Sequence, residues 1–515
     1  MVQNIDQTLK ELQKEFDENP AKGTKKAGTK YQAHDATQDA VSDFNAADAE
    51  AGLLNSHELM KLQAEEFKTM NELKRLPTEE AARLLHFYYN IIKLSGDSNH
   101  STAPLAMYLP KKGIYTTDKE LIKREIFKLE EGYTRPQIAD VFDKLRYMAA
   151  LKRPTADANL IPVANGVFNR TTRELEPFSP EYRFTSTIGT RYVERPAAPS
   201  WDIDAWLSEL AGGDAEVVSL LWQLMNESLN GNATRGKWFL LKGPGGSGKS
   251  TFSQFLMYLV GEENTSTLSL ENFSDRFSPA FLVGKTLNIG NDIDNTFVRN
   301  TSNLQNITTG DPIMIERKGE QPENVTLTPA VLFTANELPQ VGNKTEGTYR
   351  RMIIVPFLQD FRGRKDDPSI KFDKIRRADV LEYVLHKAIN MEFDRFTIPG
   401  VVAAELDAYR YKNDPVLEFY EFEWKSLEVS KVDRVPTAYV YNLFKSWSEQ
   451  NGYRPKGSRT FSGEFLEKLG HPYDNRKARA QEEFFEAAEK DNSGFFYDQE
   501  KYKKAVYCYI NTAAE

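Results

Sequence analysis

The chain has 515 residues, enough for roughly three to four domains, and its 40% hydrophobic and 12% aromatic content is sufficient to build cores. A formal net charge of −9 argues against a protein that coats nucleic acid over its whole surface, but it permits a local basic groove. Cys508 is the single cysteine, which excludes an intrachain disulfide and a cysteine zinc ribbon. No stretch approaches the ~18 apolar residues of a membrane span. We therefore expect no structural zinc, no membrane contact and a reducing cytoplasm.

The first 56 residues are predicted to be a helix followed by a flexible tether. Four apolar residues fall on one face of the helix: Ile5, Leu9, Leu12 and Phe16. Residues 17–45 are polar and rich in Lys, Gly, Ala and Thr, which is typical of a tether. The helix either docks on its own protein or binds a partner.

Residues 57–229 are predicted to be mainly helical. Helical patterns run from residue 57 to about 95, from 118 to 151, where Pro136 can start a helix, and from 201 to 229. Residues 159–192 are predicted to form strands and not helices. Their strand-like runs are joined by Asn165–Gly166, a strong hairpin signal. Strands and helices then alternate to about Phe361, which predicts an α/β core with a mostly parallel sheet.

The sequence GPGGSGKS satisfies the phosphate-loop pattern GxxxxGK[ST], between an apolar strand and an apolar-periodic helix. Glycines let successive backbone N–H groups turn toward phosphates, and the helix N-terminus adds partial positive charge. Lys249 is expected to reach the β- and γ-phosphates of a nucleotide, and Ser250 to hold Mg²⁺. The candidate nucleotide-binding residues are Gly243, Pro244, Gly245, Gly246, Ser247, Gly248, Lys249, Ser250 and Thr251.

A later strand, residues 286–290, ends in Asn-Asp-Ile-Asp. A phosphate-loop enzyme needs a carboxylate beside Mg²⁺ and often another to orient the attacking water. Asp292 is the first candidate and Asp294 the second. Asn291 fills a position that is often acidic, so whether Asp292 holds the metal or polarises water stays open. The alternative is an Asp-rich turn that caps the strand.

The apolar strand of residues 330–335 ends on Asn336, whose amide is placed to bond the γ-phosphate or its attacking water. Arg350 and Arg351 follow, just before the strand-like MIIVPF. An arginine from a neighbouring subunit can neutralise transition-state charge. We favour Arg351 slightly over Arg350 for this role, and a surface salt bridge is the alternative.

Residues 307–320 contain a turn, a strand and a second turn, and Asn324 to Thr328 supplies a second strand. This pattern predicts a hairpin with Lys318 at or near its tip and Arg317 beside it. A cation there can contact nucleic-acid phosphates without reading bases. Taken alone, the segment is also compatible with an ordinary hairpin that exposes a lysine.

These segments, in this order, resemble superfamily 3 helicases, specifically the family of poxvirus and phage primase-helicases. GPGGSGKS is similar to its phosphate loop, LNIGNDID to its acidic strand, TTGDPIMIERKGEQP to its DNA-contacting hairpin, FTANELP to its sensor and YRRMIIVPF to its arginine segment. LIPVANGVFNRTTRELEPFSPEYRFT resembles the domain that precedes the motor. The resemblance covers about residues 102–361, with a weaker match beyond.

The resemblance implies an AAA+-like phosphate-loop NTPase core, and divides the chain into five segments. These are the helix and tether (1–56), a helicase-associated region (57–229), the ATPase core (230–365), a helical continuation of the motor (366–414) and a DNA-binding domain (415–515). The last segment is predicted to be a winged helix, since a basic Gly-containing turn joins two helices. Lys456, Arg459, Arg476 and Lys477 are its candidate phosphate contacts, and a solvated helical cap is the alternative.

The resemblance further implies a hexameric ring with ATP and Mg²⁺ at subunit interfaces and single-stranded or forked DNA in its channel. Such a helicase would replicate a phage or mobile element in a bacterial cytoplasm, and the N-terminal helix would offer a site for a replication partner. No primase motif is evident upstream, so we expect a helicase without a priming site. Two alternative functions are an origin-melting or loading protein and a small-molecule kinase. The kinase alternative would leave the hairpin and the two arginines unexplained.

Overall fold

The computed structural model describes residues 46–96, 103–291, 293, 297–298, 300–319, 321–342, 345–363, 366–491 and 499–513, with side chains from residue 57 onward except at 297 and 499. Residues 1–45 of the predicted N-terminal helix and tether lie outside the described residues, and so do Asp292 and Asp294, whereas residues 46–56 are helical and not part of a tether. Within the described part, no helix combines the length and apolar content that crossing a membrane requires.

The N-terminal region packs helices against a small sheet with the strand order β3-β2-β1-β4. Asp118 starts one helix by accepting hydrogen bonds from the backbone N–H groups of Glu120 and Leu121, and Pro136 lies in the first turn of the next. The elements are α1 (Ala46–Met70), α2 (Thr78–Tyr88), β1 (Ile92–Leu94), β2 (Leu105–Leu109), β3 (Ile114–Thr116), α3 (Lys119–Leu129), α4 (Arg135–Met148) and β4 (Leu151–Lys152).

The helical prediction for residues 57–95 is wrong at its end. Helix α2 ends at Tyr88, and the segment that follows forms β1. Ile92 pairs with Ala106 in an antiparallel ladder, and Lys93 pairs with Leu151 in a parallel one. Pairing with two distant strands therefore outweighs the local apolar periodicity, which carries no information about such partners.

The predicted strand-rich segment forms a three-stranded antiparallel sheet of β5 (Leu160–Val163), β6 (Gly166–Asn169) and β7 (Glu174–Glu176). Val163 pairs with Gly166, so the turn residues are Ala164 and Asn165, one residue earlier than the Asn-Gly pattern indicates. The Asn165 side chain fixes this turn because it accepts a hydrogen bond from the Tyr192 backbone N–H and donates one to the Tyr192 carbonyl.

The central domain is built on a five-stranded parallel sheet with the order β16-β8-β14-β10-β9, as the alternation of strands and helices predicts. Its elements are α5 (Ile203–Leu210), α6 (Ala215–Ser228), β8 (Trp238–Lys242), α7 (Lys249–Val260), β9 (Thr265–Ser266), β10 (Leu287–Gly290), β11 (Phe297–Val298), α8 (Ser302–Thr309), β12 (Ile313–Ile315), β13 (Glu323–Val325), β14 (Ala330–Ala335), β15 (Gln340–Val341), α9 (Glu346–Tyr349) and β16 (Met352–Pro356).

Both faces of this sheet are covered, because alternate residues of β8 enter two different cores. Phe239 and Leu241 pack with Phe252 and Phe255 of α7, whereas Trp238 and Leu240 pack on the opposite face. Strands buried on both faces need a nearly continuous apolar sequence, which β8 and β14 have. The polar residues at the strand ends are thereby left at the edge of the sheet.

The remaining elements form helical segments and a C-terminal domain. They are α10 (Pro368–Phe372), α11 (Ala378–Ile389), α12 (Gly400–Asn413), α13 (Pro415–Glu418), β17 (Arg434–Pro436), α14 (Thr437–Gln450), α15 (Ser458–Leu469), β18 (Tyr473–Ala478), α16 (Glu482–Lys490), α17 (Gln499–Tyr502) and β19 (Val506–Asn511). The C-terminal strands form an antiparallel sheet in the order β17-β19-β18, packed around Phe419, Phe444, Phe461 and Phe465.

A buried ion pair holds the start of β8 to the surrounding helices. Glu227, at the end of α6, is 3% exposed and accepts from both the backbone N–H and the guanidinium of Arg235. The Arg235 guanidinium also lies 3.8 Å from the Phe393 ring centroid and donates to the Phe393 carbonyl. The contacts join three chain segments just before the strand that leads into the candidate site.

We expect Glu227→Ala to lower the free energy of unfolding by about 2–4 kcal/mol, because it leaves a largely buried guanidinium without its counter-charge. Denaturant unfolding followed by tryptophan fluorescence would measure this change. Glu392→Ala is the matched control, since its exposed pair with Arg173 should contribute less than about 1 kcal/mol. Equal effects of the two substitutions would contradict the structural role of the Glu227 pair.

Candidate active site

The segment of residues 243–248 leaves β8 at Lys242 and enters α7 at Lys249. Hydrogen bonds to the chain on both sides of β8 fix the point where the loop begins. The Phe357 N–H donates to the Lys242 carbonyl, and the Gly243 N–H donates to the Ala335 carbonyl. A Cβ at Gly243 would lie 2.0 Å from the Phe357 carbonyl oxygen, so only glycine fits there. The strand–loop–helix order predicted for the GPGGSGKS segment is present.

The Lys249 side chain lies inside this loop and is 4% exposed. Its ammonium donates to the carbonyls of Gly243 at 2.6 Å and Pro244 at 3.0 Å, and to Asn336 Oδ1 at 3.1 Å. Carbonyl and amide oxygens are weaker partners for an ammonium than a phosphate, which carries full negative charge. The ammonium is therefore held at the loop in a position from which it can exchange these partners for a phosphate.

The loop encloses a cavity of about 370 Å³ at the N-terminus of α7. Its lining residues are Gly245, Gly246, Ser247, Gly248, Lys249, Ser250, Thr251 and Asn336. Every predicted nucleotide-binding residue except Gly243 and Pro244 lines this cavity, and those two supply the carbonyls that hold Lys249. Backbone N–H groups, a helix N-terminus and an ammonium together suit a polyphosphate, so the donor set fits a nucleoside triphosphate.

Ile293, which lies between the two acidic candidates in the sequence, is attached to β14 near the same edge of the sheet. Strands β8, β14 and β10 are parallel, so the residues that follow them meet at one edge. The Ile293 N–H donates to the Thr334 carbonyl at 2.9 Å, two residues before Asn336. The roles of Asp292 and Asp294 stay predictions, since both lie outside the described residues. Ser250 lines the cavity and is exposed, as a metal-holding hydroxyl must be.

Arg350 and Arg351 lie at the opposite edge of the sheet from the loop. The Arg351 carbonyl accepts from the backbone N–H of Trp238, the first residue of β8. Since β8 has five residues, its two ends are about 13 Å apart at the usual rise per residue. The two arginines are therefore not brought to the phosphate loop of their own chain.

Three cations are gathered at that opposite edge. The ammonium of Lys237 donates to the Arg350 carbonyl, and burial together with Arg350 and Arg351 lowers the Lys237 pKa. Burial and Arg350 also lower the pKa of the Arg351 guanidinium, although Asp311 opposes that shift. Arg351 donates to the Gly347 carbonyl, whereas the Arg350 side chain is exposed. Like charges held this close favour the arrival of an anion.

The predicted hairpin is formed by β12 and β13, which pair from Ile313↔Val325 to Ile315↔Glu323. The second strand begins one residue earlier than predicted and ends at Val325, and Leu327 beyond it is buried in the core. Lys318 is exposed in the turn. Arg317, in contrast, is paired with Glu323 across the hairpin. Of the two candidate cations, Lys318 is therefore exposed at the surface and Arg317 is held in an ion pair.

The C-terminal candidates lie in their own domain and are not brought to the phosphate loop. Lys456 is paired with Glu464, and Arg459 is exposed in the first turn of α15. Arg476 and Lys477 are exposed neighbours in β18, with the Lys477 ammonium 5.7 Å from the Tyr507 ring centroid. These side chains remain candidates for phosphate contacts.

The sequence analysis missed Arg362, which lies against the phosphate loop. The chain returns across the loop after β16, where the Phe361 N–H donates to the Gly246 carbonyl at 3.0 Å. A Cβ at Gly246 would lie 2.6 Å from Arg362 Cγ. The basic segment FRGR, four residues after the apolar strand MIIVP, was the available signal, but its contact with the loop depends on the position of β16 beside β8.

Three segments of the chain match known families. Residues 100–212 match a family described as D5 N terminal like, and residues 411–503 match Poxvirus D5 protein-like. Residues 241–351, which contain the loop, Asn336 and both arginines, match a family of unknown function (DUF5906). D5-like sequence therefore lies on both sides of the central domain.

Two solved structures of the apo NrS-1 C terminal region are similar at 12% sequence identity. One has a TM-score of 0.47 and covers 82% of this chain and 95% of the other. The second has a TM-score of 0.46 and covers 84% of this chain and 99% of the other.

We expect Lys249→Ala to reduce nucleotide hydrolysis by at least about 10²-fold, because it removes the ammonium held inside the loop. A phosphate-release assay with ATP and Mg²⁺ would measure the rate. Lys387→Ala is the control, since Lys387 pairs with Asp204 and lies over the Trp222 ring, away from the loop. Undiminished turnover by the Lys249→Ala protein would place hydrolysis at another site.

Proposed function

We propose that this chain, with D5-like segments on both sides of its central domain, is an ATP-driven DNA helicase of the superfamily 3 type. It would work as a hexameric ring in replication of a phage or mobile element within a bacterial cytoplasm. One observation carries the proposal: a single parallel sheet places a phosphate loop at one edge and an arginine pair at the other, about 13 Å away. An arginine that acts at this loop would therefore come from a second chain.

The chemistry proposed for the loop is positioning and charge neutralisation. Lys249 would bond the β- and γ-phosphates in place of its present carbonyl partners. The hydroxyl of Ser250 and the carboxylate of Asp292 would hold Mg²⁺, which neutralises phosphate charge when bound. Asn336, already bonded to Lys249, would orient the attacking water at the γ-phosphate.

A neighbouring subunit would supply the arginine. We expected Arg351 slightly ahead of Arg350, but the contacts favour Arg350 in this proposal. The Arg351 guanidinium is committed to the Gly347 carbonyl, and its Nε is buried without a hydrogen-bond partner. Arg350 is exposed and therefore able to reach across an interface. Arg351 would then hold the start of β16 and add to the positive field.

The DNA contacts would come from the hairpin and the C-terminal domain. Lys318 presents a charge at the hairpin turn, and Arg276 is attached to the start of that turn through a 2.7 Å ion pair with Glu316. Strand β17, helices α14 and α15 and the antiparallel pair of β18 and β19 support a winged helix-turn-helix, with Arg476 and Lys477 on β18. Helices α16 and α17 separate the two paired strands along the chain. The position of β8 between β16 and β14 in the parallel sheet supports an AAA+-like core.

The second candidate is an ATP-dependent origin-binding or loading protein that melts DNA without travelling. The C-terminal domain favours it, since a winged helix reads duplex rather than single-stranded DNA. Both proteins would hydrolyse ATP in a ring. Strand displacement on a long forked substrate separates them, because only the helicase would unwind far beyond its initial binding site.

We expect Lys318→Ala to abolish DNA unwinding while keeping basal ATP hydrolysis and ring assembly, since the turn takes part in neither. Loss of one phosphate contact should also reduce the salt slope of DNA binding by about 1. Strand displacement and ATPase assays on the same preparations would measure this. Lys61→Ala, at another exposed lysine, is the control. Normal unwinding by Lys318→Ala would mean that DNA is gripped elsewhere.

We expect Arg350→Ala to leave nucleotide binding intact but to lower hydrolysis by about 10³-fold, as loss of an arginine finger does. Mixing this protein with Lys249→Ala protein should restore activity at the interfaces that pair an intact loop with an intact arginine. Arg351→Ala should lose stability more than catalytic rate. No recovery in mixed rings verified by mass spectrometry would contradict action between subunits.

A further inference from the structure

The segment after β16 covers one side of the phosphate loop. Backbone hydrogen bonds attach it at two places, from Phe357 to Lys242 at 2.7 Å and from Phe361 to Gly246 at 3.0 Å. Gly246 has a φ of +83°, and a Cβ there would lie 2.6 Å from Arg362 Cγ and 3.0 Å from its Cδ. The aliphatic part of Arg362 therefore packs directly on a residue that lines the cavity.

A carboxylate two residues away orients the Arg362 guanidinium. Its Nε donates to Asp360 Oδ1 at 2.8 Å and its Nη2 donates to Asp360 Oδ2 at 2.7 Å. Two parallel bonds fix the plane of a guanidinium and occupy one of its edges. The Arg362 side chain is nevertheless 68% exposed, so much of its surface stays open to solvent.

The strand order indicates where the nucleoside part of a bound nucleotide would lie. Asn336 follows β14, which is on one side of β8, and it is the residue assigned to the γ-phosphate. Strand β16 is on the other side of β8. A triphosphate whose γ end faces β14 directs its ribose and base toward the β16 side. Arg362 follows β16 and lies at that side of the cavity.

We propose that Arg362, oriented by Asp360, stacks on the base of the bound nucleotide and selects nucleoside triphosphates over bare polyphosphate. This inference rests on the proposed nucleotide function of the loop. The pairing with Asp360 uses two of the five N–H donors and offsets the charge that would attract a phosphate, whereas the planar face of the guanidinium remains suited to an aromatic ring. A purine has a larger ring face than a pyrimidine. The stacking contact should therefore strengthen binding of ATP and GTP more than binding of CTP or UTP.

The test compares two ligands that share the phosphates but differ in the base. Equilibrium binding of ATP and of inorganic tripolyphosphate, each with Mg²⁺, is measured for the full chain and for Arg362→Ala. We expect ATP binding to weaken about fivefold, as loss of one stacking contact predicts, with tripolyphosphate binding unchanged. Arg362→Lys keeps the charge without the planar face, so it should behave like Arg362→Ala.

Arg377→Ala is the matched control, because Arg377 also pairs with a surface carboxylate, that of Asp373. Its other side-chain contact is with Ser200, which is not part of the loop. It should bind both ligands as the unaltered chain does. Equal weakening of ATP and tripolyphosphate by Arg362→Ala, or full rescue by Arg362→Lys, would overturn the stacking role in favour of a phosphate contact. Unchanged ATP binding would also overturn it. If the unaltered chain binds neither ligand, the proposed nucleotide function fails as well.

Discussion

The hydrogen bonds that attach Lys242 and Gly243 to the strands on both sides are the constraint on which the central domain depends. They fix the end of β8 relative to β14 and β16, so the loop begins at a defined point of the sheet edge. Gly243 allows this because the Phe357 carbonyl lies where any side chain would be. The loop, Asn336 and the returning segment with Arg362 all follow from this alignment.

The distribution of charge follows from the same sheet. One cation, Lys249, is held inside the loop by carbonyl and amide oxygens. Three others, Lys237, Arg350 and Arg351, gather at the far edge, where burial and mutual repulsion lower the pKa of Lys237 and Arg351. In the proposed ring, a nucleotide held at one edge of the sheet would meet the cations at the opposite edge of the neighbouring chain's sheet.

Neighbouring residues of the same charge have different roles because their partners differ. Arg317 is paired with Glu323 across the hairpin, whereas Lys318, one residue later, is exposed at the turn. Arg351 is attached to Gly347, and Arg350 is exposed. All four residues lie outside helices and strands, and in each pair one side chain is bonded within the chain while its neighbour is exposed. Charge content alone does not distinguish the members of either pair.

The sequence by itself determined the features that depend on residues close along the chain. The strand–loop–helix order around Lys249, the hairpin around Lys318 and the parallel α/β core were predicted, since spacing and periodicity encode backbone pattern locally. Only the tertiary structure decided that residues 92–94 form a strand, that the arginines lie about 13 Å from their own loop and that Arg362 packs on Gly246. These features depend on which strands are neighbours in the sheet, and pairing between distant segments leaves no periodic signal in the sequence.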